Sequence, residues 1–270
     1  MPAAPADFEP LAALACARAA AASGYIGETE LRGLLILAAA APVAAGRPEV
    51  MVEIGSFKGK SAVALATFAR QRGLPPLVSI DPHTAPSVTD PGLPETSSFE
   101  AFTAALAAAG VSQQVEVHRQ RSQEAAVGWQ RPIGLLWIDG DHTWEGARSD
   151  FDLFSPFLVP GAFVALHDSL HFFEGPIRVF VECMLSDDRF GPAGFLHSIA
   201  WAQYRPADGA RWRAERARLA RRAQRLLPRV TPPAEFRRIN KLRYKLACGR
   251  IPHRVPTPKV WFAGLDKVAE

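Results

Sequence analysis

Along the chain, short apolar runs alternate with stretches of helical period. Val50–Ile54, broken only by Glu53, reads as a strand, as do Pro76–Ile80, Val115–His118, Pro132–Ile138 and Ala162–Leu166. Such short, nearly continuous runs rich in Val, Ile and Leu suit strands of a parallel sheet buried on both faces. Between them lie segments with apolar residues three and four apart. One opens at Ser61 and ends near Arg72-Gly73, Phe99–Ala109 is closed by Gly110, another follows Ser122, and Asp150–Phe157 and Gly175–Leu185 continue the series. The alternation predicts an α/β fold with a doubly wound, mostly parallel sheet.

The flanks add detail. Asp7–Ser23, stopped by Gly24, and Glu28–Ala41, ending before Pro42, predict two N-terminal helices packed on the sheet. Gly194–Tyr204 has strand character and hairpin potential at the sheet's end. Thr84–Ser98 is rich in Pro, Ser, Thr and Gly and predicts a surface loop long enough to serve as a substrate lid. The boundaries that follow are helices over 1–48, a core over 49–204 and an extension over 205–270.

Candidate chemistry gathers at the strand ends. After Val50–Ile54, Gly55, Ser56 and Gly59 form a tight turn before the next helix. Glycines let the backbone approach a ligand closely, and the helix start presents free N–H groups. The spacing G-x-x-x-G lacks the dinucleotide fingerprint G-x-G-x-x-G, and Gly59-Lys60-Ser61 lacks the earlier glycine of a P-loop. Glu53, Asp81, Asp139 and Asp168 each close or interrupt a strand near its tip. Ligands in such sheets sit beyond the carboxyl ends of the strands, and acids are costly to bury, so four at one edge point to a binding site. An acid-lined mouth favours a ligand with hydroxyl or cationic groups over a pyrophosphate.

Composition narrows the class. The 270 residues are 48% hydrophobic and 21% charged, as in a folded enzyme. Cys16, Cys183 and Cys248 are widely spaced, without a metal-ligand or disulfide pattern. No apolar run reaches membrane-span length, and the acids Asp7 and Glu9 near the start argue against a signal peptide, so a cytoplasmic protein is expected. The net charge of +4 hides a division: 13 Lys and Arg against 22 Asp and Glu through Tyr204, then 16 against 3 from Arg205 to Arg254.

The quoted segments carry a resemblance. V-E-I-G-S-F-K-G-K-S, S-I-D-P-H, I-D-G-D-H-T-W-E-G-A-R-S-D-F and P-G-A-F-V-A-L-H-D-S resemble the motifs of class I S-adenosylmethionine-dependent methyltransferases. Within that class they are similar to the small-molecule O-methyltransferase branch of macrocin-type and polysaccharide-associated enzymes. The resemblance spans Gly24–Tyr204 and implies a Rossmann-like core. It implies that Glu53, Gly55, Ser56, Phe57, Gly59 and Ser61 line the cofactor's methionine and ribose portion. Asp81 would hold the ribose hydroxyls, Arg121 and Ser122 would border the adenine, and Asp139 would also face the cofactor. Asp139 and Asp168, on adjacent strands, would be the ligands of a Mg²⁺ ion. Metal-binding relatives place a third acid or amide beside the second Asp, where this chain has His167 and Ser169. Asp141, His142 and His167 are the candidate bases. The expected activity is methyl transfer to a hydroxyl of a small molecule, a sugar or glycoconjugate. The alternative is a non-catalytic scaffold on the same fold, recruited to a membrane or polyanion by its tail.

The tail lies outside the resemblance. Arg211–Leu227 places Trp212, Leu219 and Leu226 seven apart among arginines, an amphipathic helix with a basic face. Arg237–Tyr244 repeats the mixture, and Pro252–Pro258 reads as an extended arm. Docking on the acidic body or on a second subunit is the first expectation and a membrane surface the second. Nucleic acid comes last, for want of an aromatic stacking platform.

Overall fold

The computed structural model describes residues 5–84, 97–230, 238–265 and 267. Most of Thr84–Ser98, the segment expected to form a lid, lies outside them, as does Arg237.

Two helices, α1 (Phe8–Ala19) and α2 (Glu28–Ala40), precede β1 (Val50–Ile54). There follow α3 (Lys60–Gln71), β2 (Leu77–Ile80), α4 (Phe99–Ala108), β3 (Val115–His118), the short α5 (Ser122–Ala125) and β4 (Ile133–Ile138). Then come α6 (Trp144–Phe154), β5 (Leu158–Leu166), α7 (Glu174–Val179), β6 (Phe190–Leu196) and β7 (Ile199–Tyr204). The seven strands are ordered β3-β2-β1-β4-β5-β7-β6. The first five are parallel, and β7 enters antiparallel between β5 and β6. Because strand order reverses between β1 and β4, their carboxyl ends open a crevice.

Period-two alternation divides each central strand between two cores. Met51, Leu135, Trp137, Phe163 and Ala165 face α1–α4. Val52, Ile54, Leu136, Ile138, Val164 and Leu166 face the opposite helical layer. Parallel strands covered on both faces account for the unbroken apolar runs in the sequence.

Several boundaries differ from expectation. The helix expected over Asp150–Phe157 starts at Trp144, because Thr143 caps it with Oγ1 accepting from Gly146 N at 3.1 Å; the last turn, Ser155–Phe157, tightens to 3₁₀ geometry. The stretch Gly194–Tyr204 holds the end of β6 and all of β7, turning at His197 and Ser198 with His197 at φ 59°.

In the tail, α8 (Arg213–Ala223), α9 (Arg238–Cys248) and α10 (Pro258–Gly264) follow. Residues 252–257 have no regular structure, and α10 was not anticipated. Ala223, Leu226, Tyr244 and Ile251 join the α6–α7 core, while Trp261 and Phe262 join the α1–α4 core. Arg216 is buried and donates to the carbonyls of Leu185 (3.2 Å), Phe190 and Gly209 (2.7 Å) and to Asp188 (2.9 Å). The basic extension is thus packed into its own chain by one face.

Candidate functional site

Beyond the carboxyl ends of β1, β2, β4 and β5 lies a cavity of about 770 Å³. Its floor is the turn after β1. Gly55 has φ +86°, and a Cβ there would lie 2.2 Å from the carbonyl oxygen of Asp139, so the tips of β1 and β4 approach only because this residue lacks a side chain. Gly59 has φ +89° and starts α3, and Phe57 is also left-handed at φ 46°. The turn is held from β2: one oxygen of Asp81 accepts from the N–H groups of both Ser56 and Phe57 at 2.8 Å, and the other from His83 N at 2.6 Å. Asp81 therefore shapes the cradle, and three of its roughly four acceptor positions are already used.

Glu53 is fully buried beneath this turn. Ser79 Oγ donates to its Oε2 at 3.4 Å and Ser61 bonds it from the first turn of α3, leaving Oε1 without a partner. Burial, with Asp139 and Asp81 nearby, pushes its carboxyl up to about 8, so it is protonated at neutral pH. Asp150, on α6, is similarly pushed up to about 6 by burial, and Asp141 adds to the rise while Ser122 opposes it. Arg121 and Ser122 line the far wall at the start of α5, and Tyr25 stacks on Phe57 at 5.7 Å at the rim.

At the β4 and β5 tips, His167 is buried among three carboxylates. Its Nδ1 lies 2.9 Å from Asp139 and 3.5 Å from Asp168, and its Nε2 lies 3.5 Å from Glu30 of α2. Burial opposes its charge, yet these acids outweigh it and keep the imidazole protonated well above its usual range. Reciprocally, burial works against Asp139 and Glu30, but the histidine charge holds both carboxyls below the ordinary range. Glu30 also accepts from Ser198 Oγ, from Gly27 N (2.8 Å) and from His197 (3.1 Å). His171 Nδ1 meets Asp168 at 2.5 Å, and that bond raises the His171 pKa.

The three candidate bases are placed differently. His167 is 3% exposed and already protonated. Asp141 is exposed, with Oδ1 accepting from Thr143 N at 2.9 Å. His142 faces the cavity, its ring stacked on Phe173 at 4.5 Å. Its Nε2 lies 3.5 Å from Asp139 and 3.6 Å from Asp168, longer than an ordinary hydrogen bond, and neither ring nitrogen has a hydrogen-bond partner.

Mg²⁺ requires a near-octahedral oxygen set. The groups converging here are the carboxylates of Asp139, Asp168 and Glu30 and two imidazoles, and the His167 cation already sits against all three acids. Ser169 gives no further ligand: it is fully buried, does not line the cavity, and its Oγ bonds Leu166 O at 3.0 Å. This donor set does not fit Mg²⁺.

Glu30, Asp150 and His171 belong to this region but were not among the residues singled out from sequence. Glu30 stands three residues after Gly27, where a helix-capping acid is ordinary, so its second task beneath His167 left no local signal. His171 stands three residues after Asp168, a spacing that could have been noticed.

Residues 52–169 match a family described as a methyltransferase domain. Among solved structures, the O-methyltransferase NovP aligns with a TM-score of 0.55 at 14% identity, covering 67% of this chain and 81% of its own. A putative O-methyltransferase from Klebsiella pneumoniae aligns with a TM-score of 0.51 at 15% identity, covering 74% and 90%. These two alignments place the chain in the class I methyltransferase fold. An O-methyltransferase from Bacillus cereus, solved in complex with SAH, aligns with a TM-score of 0.49 at 17% identity, covering 74% and 91%.

Proposed function

We propose that this chain, whose residues 52–169 form a methyltransferase domain of class I fold, transfers a methyl group from S-adenosylmethionine to a hydroxyl of a small acceptor, a sugar or glycoconjugate. The carrying observation is a crevice with a side-chain-free cradle at Gly55 on one side and an unpartnered His142 on the other, both in one cavity. The residues suit that cofactor. Glu53 has a buried, unpaired oxygen, and the turn from Gly55 to Gly59 leaves room for close backbone approach. Glu53, Ser56, Phe57, Ser61 and Asp81 would hold its methionine and ribose portions, and Arg121 and Ser122 its base. When bound, the cofactor supplies an electrophilic methyl on a sulfonium centre.

The protein's own task is to orient an acceptor hydroxyl and remove its proton as the new bond forms. His142 suits the role of base, since Nε2 is free to take the proton and Asp139 and Asp168 would stabilise the resulting cation. His167 is a positioning residue: its charge holds the Asp139 carboxyl below its ordinary range, and its contacts with Asp139 and Asp168 fix both carboxylates beside His142. The Tyr25–Phe57 stack offers a flat apolar surface against which a sugar ring could lie.

The test is transfer of labelled methyl from S-adenosylmethionine to a panel of sugars, nucleotide sugars and catechols. Label in a hydroxylated sugar supports the reading, and label only in catechols overturns the acceptor class. No transfer to any acceptor, with no thermal stabilisation by S-adenosylmethionine or S-adenosylhomocysteine, would favour a non-catalytic scaffold.

A further inference from the structure

The tail packs one face of α9 into its own body and leaves the other unaccounted for. Tyr244 and Ala247 are buried, and Tyr244 Oη donates to the carbonyl of His171. Leu242 and Leu246, one turn apart, are 61% and 59% exposed. At about 100° per residue they fall opposite Tyr244 and Ala247, with Lys241 and Lys245 on one flank and Arg243 on the other, all exposed. On α8, Arg218, Arg221 and Arg222 are likewise free of ion pairs among the described residues. Cations bordering a pair of outward leucines form the pattern of a helix lying in a lipid–water interface.

The charge asymmetry identifies the counterpart. Much of the body's acid is out of reach of a second copy's tail. Glu30, Glu53, Asp139, Asp150 and Asp168 are in or beneath the cavity. Near the tail, Asp187, Asp188 and Asp208 are already paired with Arg189, Arg213 and Arg205. Two leucines are also far less apolar area than a stable subunit interface needs. We propose that α9, supported by the arginines of α8, docks this protein on an anionic lipid surface, with Leu242 and Leu246 entering the interface and the flanking cations meeting lipid phosphates. No helix among the described residues is long and apolar enough to cross a membrane, so the attachment is peripheral.

The test is sedimentation of the full chain with phosphatidylcholine vesicles, with and without phosphatidylglycerol. Binding should require the anionic lipid and weaken with salt. It should fall by about tenfold or more in Leu242→Ser/Leu246→Ser and in Lys241→Gln/Arg243→Gln/Lys245→Gln, with melting temperatures unchanged. Absence of binding, or binding indifferent to the leucine pair, overturns the proposal. So does light scattering that shows an oligomer dissociated by the leucine substitutions, which would make the patch a subunit interface. Binding to heparin or single-stranded DNA with equal affinity and no dependence on the leucines would make it a polyanion site and likewise overturn it.

Discussion

Nδ1 of His167 donates to Oδ1 of Asp139 across 2.9 Å, joining the tips of two adjacent strands. His167 N also bonds Ile138 O at 3.0 Å, so the side-chain link repeats the backbone pairing and fixes the ring. With Glu30 on the other nitrogen, one buried cation neutralises acids from the β4 tip and α2.

Removing that cation should therefore cost stability. His167→Ala leaves Asp139 and Glu30 buried without their counter-charge, a loss of about 3–5 kcal/mol for a broken buried ion pair. Urea denaturation measures it, and a loss below about 1 kcal/mol, as for a surface pair, would mean that the network is solvated.

Glu53 should make stability fall with rising pH. Its folded-state pKa, about 8, lies above the ordinary value of 4.5. Its contribution is therefore fully present below the lower value and drains away as pH rises toward the higher. Glu53→Gln cannot ionise, so its melting temperature should gain on that of the native chain between those values. Parallel curves would show that Glu53 is not buried as a neutral acid.

How much of this was legible beforehand depended on the range of the signal. The five parallel strands and the acids at Glu53, Asp81, Asp139 and Asp168 followed from local patterns, because a buried parallel strand must be apolar along its length and a polar residue shows where it ends. The helix expected over Asp150–Phe157 was started too late, because its true start at Trp144 is set by one hydroxyl, Thr143, inside a motif that reads as chemistry. Glu30 was illegible, since its partners His167 and Ser198 lie far along the chain. Asp81 was placed at a strand tip to hold ribose hydroxyls, but its bonds to Ser56 and Phe57 depend on strand register, which no local pattern encodes.

In the tail, Arg216→Leu should destabilise the whole chain. It would strip hydrogen bonds from the carbonyls of Leu185, Phe190 and Gly209, each loss costing about 1–3 kcal/mol where the group stays dry. A chain cut after Tyr204 should melt lower still, since Leu226, Tyr244 and Trp261 leave both cores with it. Unchanged melting of either variant would mean that the extension is not part of the fold.

His142→Ala should lower the rate of methyl transfer by about 10²–10⁴-fold, the usual contribution of a positioned base, while leaving cofactor affinity near that of the native chain. Equal losses in rate and cofactor affinity would move His142 from base to binding residue.

The central claim is that the crevice between β1 and β4 holds the methyl donor, and calorimetric titration with S-adenosylhomocysteine tests it most directly. The native chain should bind one equivalent saturably. Asp81→Ala, which frees the N–H groups of Ser56 and Phe57 and removes a partner for the ribose, should weaken binding by about 1.5–3 kcal/mol while remaining folded. Absence of binding to the native chain, or an Asp81→Ala affinity equal to it, would contradict the account.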